Sequence, residues 1–244
     1  MTNKSMVLMA ALAVLLALTP RPAATVVSSV EMADKLIALT FDDGPDPVCT
    51  GRILDALERE GAKGTFFVIG EKLARNGALI SWMAQGGHQI GSHTWSHADL
   101  SVLSAGDVLR ELSPVIDALR RMTGQETFYV RPPYGFVSDT LRQTSGAPLV
   151  CWSVDPRDWE CQDAEAVTAH VLSHVRDGDI VLLHDIYPST AEAVERLVPA
   201  LRERGFRMVT VRQLLLARGI QAIPGGVYFS APKAGPQTAT PAVP

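Results

Sequence analysis

The sequence has few cysteines and no cluster of them, since Cys49, Cys151 and Cys161 are its only three and none lies in Cys-x-x-Cys spacing. This absence argues against a thiolate zinc site or a redox dithiol. The sequence also lacks a block of basic residues, and 22 Lys and Arg against 26 Asp and Glu give a formal net charge of −4. Nucleic acid and anionic lipid surfaces are therefore not expected as partners.

The chain also lacks an apolar run long enough to cross a bilayer as a helix, which takes roughly 20 residues. Its apolar run at Met6–Leu18 has 13 residues and follows Lys4, a pattern typical of a secretory signal. We predict a leader over residues 1–28 and a secreted, periplasmic or cell-envelope location, with no stable membrane insertion after cleavage. An uncleaved signal-anchor is the alternative, and the cleavage point stays open.

After the leader, short β-branched or apolar runs alternate with longer helical patterns. Strands are predicted at Leu36–Phe41, Thr65–Ile69, His88–Ser92, Thr127–Val130, Leu149–Val154, Asp179–Leu183 and Arg207–Val211. Helices are predicted at Thr50–Glu60, Lys72–Gln85, Ser104–Met122, Ser138–Thr144, Ala164–Arg176, Thr190–Arg204 and Val211–Ala217. This alternation predicts an α/β fold with a parallel sheet covered by helices. About seven strands favour a TIM-barrel-like (β/α) barrel, with a doubly wound open sheet as the alternative.

The domain organisation is simple, because there is no internal repeat and no Ser/Gly-rich linker. We predict one catalytic domain over residues 35–218. The stretch Ala231–Pro244 has four Pro, four Ala and no aromatic residue, which predicts a disordered tail.

Polar residues follow directly after the predicted strands, where parallel α/β folds gather their active sites. The first strand ends in Asp42 and Asp43, adjacent carboxylates that point in different directions and suit two separate tasks. After the third strand come His93 and His97, whose spacing predicts that one helical turn puts both imidazoles on one face. With a carboxylate they would make a three-ligand metal site with room for water.

Three further strands also lead into polar groups. The fourth leads to Arg131, which could hold a carboxylate through two nitrogens, and the fifth leads to Asp158. The sixth leads to His184, whose place after a buried strand suits a general acid held by a nearby carboxylate. His170 and His174 repeat the spacing of four inside a predicted helix, so we assign them to surface or packing.

Together these segments resemble the polysaccharide deacetylases, the NodB-homology domain of carbohydrate esterase family 4. The resemblance runs from about Leu36 to Ala217 and includes the family motifs TFDDG, HTWSH, RPPYG, DPRDW and LLH. It implies a distorted (β/α) barrel. It also implies metal-dependent removal of N-acetyl groups from a β-1,4-linked amino-sugar polymer.

Carried over by position, the resemblance implies that Asp43, His93 and His97 hold a divalent metal. Asp42 would be the general base that activates water at the metal, and Arg131 would keep it ionised. Arg131 and the metal are expected to depress the pKa of Asp42. Zinc is the expected metal, and cobalt, nickel or manganese would suit the same ligands.

The other implied roles complete the reaction. His184 would be the general acid that protonates the leaving amine, and Asp158 its orienting carboxylate. The backbone N–H of Tyr134 would stabilise the oxyanion. Leu182 and Trp159 would form walls of the substrate-binding pocket that takes the acetyl methyl group, beside Tyr134.

The function expected from the sequence is an N-deacetylase acting on N-acetylglucosamine in peptidoglycan or chitin oligomers. The alternatives are an acetyl xylan esterase with the same groups, a glycan-binding relative that has lost catalysis, and an intracellular amidohydrolase of a small cyclic amide. We predict a glycan as the partner and a monomer. Cys49 and Cys161 lie beside the first and fourth motifs and are predicted to be unlinked thiols, with a disulfide as the alternative.

Overall fold

The computed structural model describes residues 35–233, so the predicted leader and residues 234–244 of the predicted tail lie outside the described residues. The strands are β1 (Lys35–Asp42), β2 (Gly64–Val68), β3 (Gln89–Ser92), β4 (Leu149–Val150), β5 (Ile180–His184), β6 (Phe206–Met208) and β7 (Val227–Tyr228). The helices are α1 (Cys49–Arg59), α2 (Gly70–Leu73), α3 (Gly77–Gln85), α4 (Ala105–Thr123), α5 (Asp139–Thr144), α6 (Asp158–Cys161), α7 (Ala164–His174), α8 (Pro188–Glu203) and α9 (Val211–Ala217).

The sheet is parallel and closes on itself, which confirms the predicted α/β fold. Strand β1 pairs with β2 on one side and β5 on the other, its first residues pair with β6, and β3 continues beyond β2. Parallel bridges from Ser92 to Val130 and from Val130 to Leu149 carry the ladder to β4. A bridge from Val154 to Val181 then returns it to β5. Because three links of the ring are single bridges, the ring is a distorted (β/α) barrel.

Several predicted element limits differ from the structure. The predicted strand Thr127–Val130 is reduced to a single bridging residue, and the two prolines after Arg131 have no N–H with which to extend a ladder. The predicted helix Lys72–Gln85 is divided into α2 and α3 around Asn76. Strand β7 was not predicted, and Ala231, placed by the sequence in the tail, is fully buried.

The strand β1 shows how the core positions the site. Seven of its eight residues are buried, and their side chains alternate between the two faces of the sheet. Ile37, Leu39 and Phe41 belong to the cluster that packs under α1 and α8. Leu36 and Ala38 face the barrel interior, so the same alternation carries Asp42 inward. No helix within residues 35–233 combines the length and apolar character that a membrane crossing requires.

Candidate active site

Asp42 ends β1 inside the barrel and is bound there by Arg131. Asp42 Oδ1 accepts a hydrogen bond from Arg131 Nη1 at 2.9 Å, and the same nitrogen donates to Thr40 Oγ1 at 2.7 Å. The rest of the fully buried guanidinium donates to the backbone oxygens of Val150 and Cys151. Arg131 therefore holds Asp42 through one nitrogen and not through two, because its other donors are committed to the sheet.

The pKa of Asp42 is shifted in the direction opposite to the sequence-based expectation. Burial raises the pKa of Asp42, and the charge and hydrogen bond of Arg131 lower it without cancelling that rise. The protein's own groups therefore do not depress this pKa. A cation beside Asp43 would act in the same direction as Arg131 and favour the ionised carboxylate.

Asp43, His93 and His97 bring three candidate ligand atoms together. Asp43 Oδ1 lies 3.5 Å from His93 Nε2 and 3.4 Å from His97 Nε2, and the three ligand atoms lie within 4.8 Å of one another. Asp43 Oδ1 is buried and has no hydrogen-bond partner within the protein. An orphaned carboxylate oxygen that faces two imidazole nitrogens fits a divalent metal, since buried polar atoms otherwise have partners.

The tautomer of His93 suits a metal ligand. Its Nδ1 lies 2.8 Å from the carbonyl oxygen of Arg131, which can only accept, so Nδ1 carries the hydrogen. Nε2 is then left with its lone pair directed at Asp43. Burial lowers the pKa of His93 to about 3, which keeps this imidazole neutral.

The two imidazoles meet through a loop, so the prediction of a helical turn is wrong. Residues 93–97 are not helical, and both Thr94 and His97 have left-handed backbones, with φ of 68° and 65°. Side chains take the place of helical hydrogen bonds. Thr94 Oγ1 accepts from the His97 N–H at 2.9 Å, and Glu111 accepts from the N–H groups of Trp95 and Ser96.

His184 ends β5 directly opposite Asp42, because the two residues are register partners in neighbouring strands. Its Nδ1 lies 2.8 Å from Asp158 Oδ1, and its backbone N–H donates to Asp158 Oδ2 at 2.8 Å. Thr190 donates a further hydrogen bond to that fully buried carboxylate at 2.7 Å. Burial opposes protonation of His184, but the hydrogen bond and charge of Asp158 outweigh it and raise the pKa of His184 to about 9.

The remaining predicted residues surround these groups. Tyr134, Trp159 and Leu182 line a cavity of about 440 Å³ that also contains the carboxylates and imidazoles described above. Tyr134 has a left-handed backbone, with φ of 62°, inside the turn Pro133–Gly135. The structure therefore brings every predicted catalytic, substrate-binding and metal-ligating residue to one cavity or its supporting shell.

Sequence reasoning missed some contributors to this cavity. Trp152, Asp155 and Tyr187 also line the cavity, and none of them was among the predicted site residues. The position of Trp152 just after β4, at the carboxyl end of the sheet, was the available signal. The three cysteines are free, with Cys161 exposed, and His170 and His174 stack on the exposed surface of α7.

Strained backbone is concentrated around the cavity. Within residues 35–233, six residues other than glycine have positive φ, and all of them lie in or beside the polar loops that follow the strands: Asp43, Thr94, His97, Tyr134, Arg157 and Gln162. Such conformations cost about 1–3 kcal/mol each and cluster at functional sites.

Comparison with known proteins shows which family this chain is similar to. A profile described as polysaccharide deacetylase matches residues 29–147. The chain is 36% identical over 186 residues to the peptidoglycan-N-acetylmuramic acid deacetylase PdaC of Bacillus subtilis, covering 76% of this chain and 40% of PdaC. It is 40% identical over 187 residues to a chitooligosaccharide deacetylase of Sinorhizobium fredii, covering 70% of this chain and 87% of that protein.

A solved structure is also similar to this chain. The family 4 acetyl xylan esterase from Clostridium thermocellum, solved with a cobalt ion, is 35% identical and has a TM-score of 0.77. The match covers 81% of this chain and 100% of that one. The present chain thus spans about two fifths of PdaC and the whole of the chain in this solved structure.

Proposed function

Because this chain belongs to the polysaccharide deacetylase family, we propose that it removes N-acetyl groups from a β-1,4-linked N-acetylglucosamine polymer, either peptidoglycan or chitin oligomers. The observation that carries the proposal is the cavity in which Asp42 and His184 flank the three candidate ligands. An amide needs both a strong nucleophile and a protonated leaving nitrogen, and this arrangement offers one group for each requirement.

The metal-binding part of the proposal rests on Asp43, His93 and His97. These residues would hold a divalent metal, most simply zinc, although cobalt, nickel or manganese suits the same donors. When bound, such a metal supplies Lewis acidity that polarises the acetyl carbonyl and acidifies the attacking water. The neutral His93 and the unpartnered Asp43 oxygen support this assignment.

The proton transfers in the proposed mechanism belong to Asp42 and His184. Asp42 takes the proton of the attacking water, and Arg131 favours the ionised carboxylate that this requires. His184 is protonated at neutral pH because Asp158 raises its pKa, so it can donate to the leaving nitrogen. Thr190 holds Asp158 in place for this task.

The substrate contacts are proposed from the cavity walls. Leu182 and Trp159 would receive the acetyl methyl group, and the backbone N–H of Tyr134 would donate to the developing oxyanion. Outside the cavity the Tyr134 ring continues into Phe136 at 6.1 Å, and these side chains are 58% and 54% exposed. An exposed aromatic surface beside the cavity suits a neighbouring sugar of a polymer better than a free small molecule.

Location and assembly are also proposals. The signal-like segment before residue 28 and the cell-wall substrates named for relatives support secretion or a place in the cell envelope. We propose that the protein acts as a monomer on a glycan, with no nucleic acid as a partner. The catalytic domain would begin near residue 35 and extend at least to the buried Ala231, beyond the predicted end at 218.

The test is acetate release from peptidoglycan, chitin oligomers and acetylated xylan, each with and without a chelator. We expect release from an amino-sugar substrate and loss of that release when the metal is removed. Preference for xylan would favour the esterase, which the similar acetyl xylan esterase makes a specific alternative. Metal binding without acetate from any substrate would favour a glycan-binding protein.

A further inference from the structure

Within residues 35–233, two buried side-chain oxygens have no hydrogen-bond partner, Asp43 Oδ1 and Asp185 Oδ1. The proposed metal accounts for the first. The second belongs to an acid that directly follows His184, is 1% exposed and has no part in the proposed chemistry. Burying a carboxylate with an unpaired oxygen lowers the free energy of unfolding, so we expect Asp185 to have a function that offsets this cost.

Asp185 is held on one side by α1. Its Oδ2 accepts a hydrogen bond from Thr50 Oγ1 at 2.5 Å, and Thr50 Oγ1 accepts in turn from the Asp46 N–H at 2.8 Å. The backbone N–H of Asp185 donates to the carbonyl oxygen of Asp42 at 3.2 Å. These contacts fix the carboxylate between the end of β1 and the first turn of α1.

On the other side the carboxylate lies against Gly44, the residue after the candidate ligand Asp43. A Cβ atom added at Gly44 would overlap both carboxylate oxygens of Asp185. A side chain at residue 44 would therefore collide with Asp185, so the contact requires glycine. Asp43 itself has a φ of 72°, a conformation that needs support from its surroundings in a residue other than glycine.

Other side chains support the same turn at its carbonyl oxygens. Lys72 Nζ donates to the backbone carbonyl oxygen of Asp43 at 2.7 Å, and Asn76 Nδ2 donates to the backbone carbonyl oxygen of Pro45 at 3.2 Å. Asp185 contacts Gly44, the residue between Asp43 and Pro45. The turn that presents Asp43 is thus held at three successive residues.

We propose that Asp185 is a positioning residue whose carboxylate fixes the Gly44 backbone and thereby directs Asp43 at the two imidazole ligands. This inference rests on the proposed function, because it concerns how a proposed metal ligand is held. Its role is carried by shape and by the hydrogen bond from Thr50. Groups that hydrogen-bond to metal ligands typically contribute about 10- to 100-fold to metal affinity, and we expect the same range for a residue that holds the turn of a ligand.

The experiment measures Co²⁺ binding to the purified protein by calorimetry and by the visible absorption of bound Co²⁺, which reports ligand geometry without turnover. Asp185→Ala is expected to raise the dissociation constant about 10- to 100-fold and to alter the spectrum. Asp185→Asn keeps the size and the acceptor for Thr50, so it is expected to bind like the unchanged protein. Thr50→Val is expected to weaken binding about tenfold and serves if Asp185→Ala does not fold.

Asp177→Ala is the matched control, because Asp177 also links separate elements through its carboxylate but lies at the opposite end of the barrel. It is expected to lower stability without changing Co²⁺ affinity. Equal affinity and spectrum in Asp185→Ala and the unchanged protein would overturn the inference, as would equal weakening by Asp185→Asn or Asp177→Ala. Failure of the unchanged protein to bind Co²⁺ would overturn the proposed metal site itself, and this inference with it.

Discussion

The two edges of the barrel are built from the same strands but differ in how they satisfy their polar groups. At the amino edge, where the strands begin, Asp177 accepts from the Leu36 N–H at 2.7 Å and from Arg218. At the carboxyl edge, where the strands end, Asp43 and Asp185 each keep a buried oxygen without a partner. Because buried polar groups are normally paired, the carboxyl edge is the one shaped by something other than stability.

The backbone shows the same difference. Turns that lead into strands at the amino edge reach positive φ through glycine, at Gly61, Gly87, Gly178 and Gly205. The carboxyl edge uses residues with side chains in that conformation, among them the candidate ligands Asp43 and His97. Since glycine adopts it without strain, the carboxyl edge accepts a cost that the amino edge avoids. Substitutions at the two edges should therefore have different consequences.

The largest effect is expected for the proton-transfer residues of the carboxyl edge. Asp42→Asn and His184→Ala should each lower kcat for acetate release by about 10²- to 10⁴-fold, because each removes a general acid or base. Both variants should still bind a divalent metal, since the candidate ligands are intact. His174→Ala, an exposed histidine of α7, is the control and should leave kcat unchanged. Full turnover in either site variant would refute the assigned roles.

The next prediction concerns pH. A general acid must be protonated, so activity should fall as pH rises through about 9, the pKa to which Asp158 raises His184. In Asp158→Asn the stabilising charge is lost while burial still opposes protonation, so the alkaline limb should move to or below the ordinary histidine value of about 6.5. The pH profiles of kcat/KM for the unchanged protein and for Asp158→Asn measure the position of the alkaline limb in each. An unmoved limb would show that another group titrates there.

At the amino edge the expected effect is on stability alone. Asp177→Ala leaves the Leu36 N–H and Arg218 without their carboxylate and should lower the free energy of unfolding by about 1–3 kcal/mol. Its kcat for acetate release should equal that of the unchanged protein. Denaturant unfolding and initial rates measure the two quantities, and a large loss of kcat would erase the distinction between the edges.

The smallest effect is expected outside the cavity, at Phe136. Phe136→Ala should raise KM for chitin oligomers about two- to tenfold, with little change in kcat. This range corresponds to the loss of one aromatic contact worth about 0.5–1.5 kcal/mol. Phe229 is also 54% exposed but follows β7, whereas the Phe136 ring contacts Tyr134 of the cavity wall, so Phe229→Ala is the matched control. Equal KM values for the two variants would limit the substrate contacts to the cavity.

The sequence was most informative where chemistry follows a strand. Asp42 and His184 were predicted from strand ends, and the register that pairs them follows from a parallel sheet. The contact of Arg131 with Asp42 was implied by the family resemblance and is present. These features were predictable because a strand has a simple period and a defined end.

The supporting contacts were not predictable, because they join distant parts of the chain without a local pattern. Thr190 binds Asp158 across 32 residues, and Thr50 binds Asp185 across 135. The loop that brings His93 and His97 together was mistaken for a helical turn, since a spacing of four fits both conformations. Only the backbone conformation, which the spacing does not specify, distinguishes a loop from a helical turn.

The most direct test of the central claim follows acetate release from chitin oligomers by one preparation in three states. These are the untreated protein, the protein after chelator treatment, and the treated protein after addition of Zn²⁺ or Co²⁺. If Asp43, His93 and His97 hold a metal needed for deacetylation, release should be lost on chelation and recovered with the metal. Acetate release that continues unchanged in the chelated, metal-free protein would contradict the account.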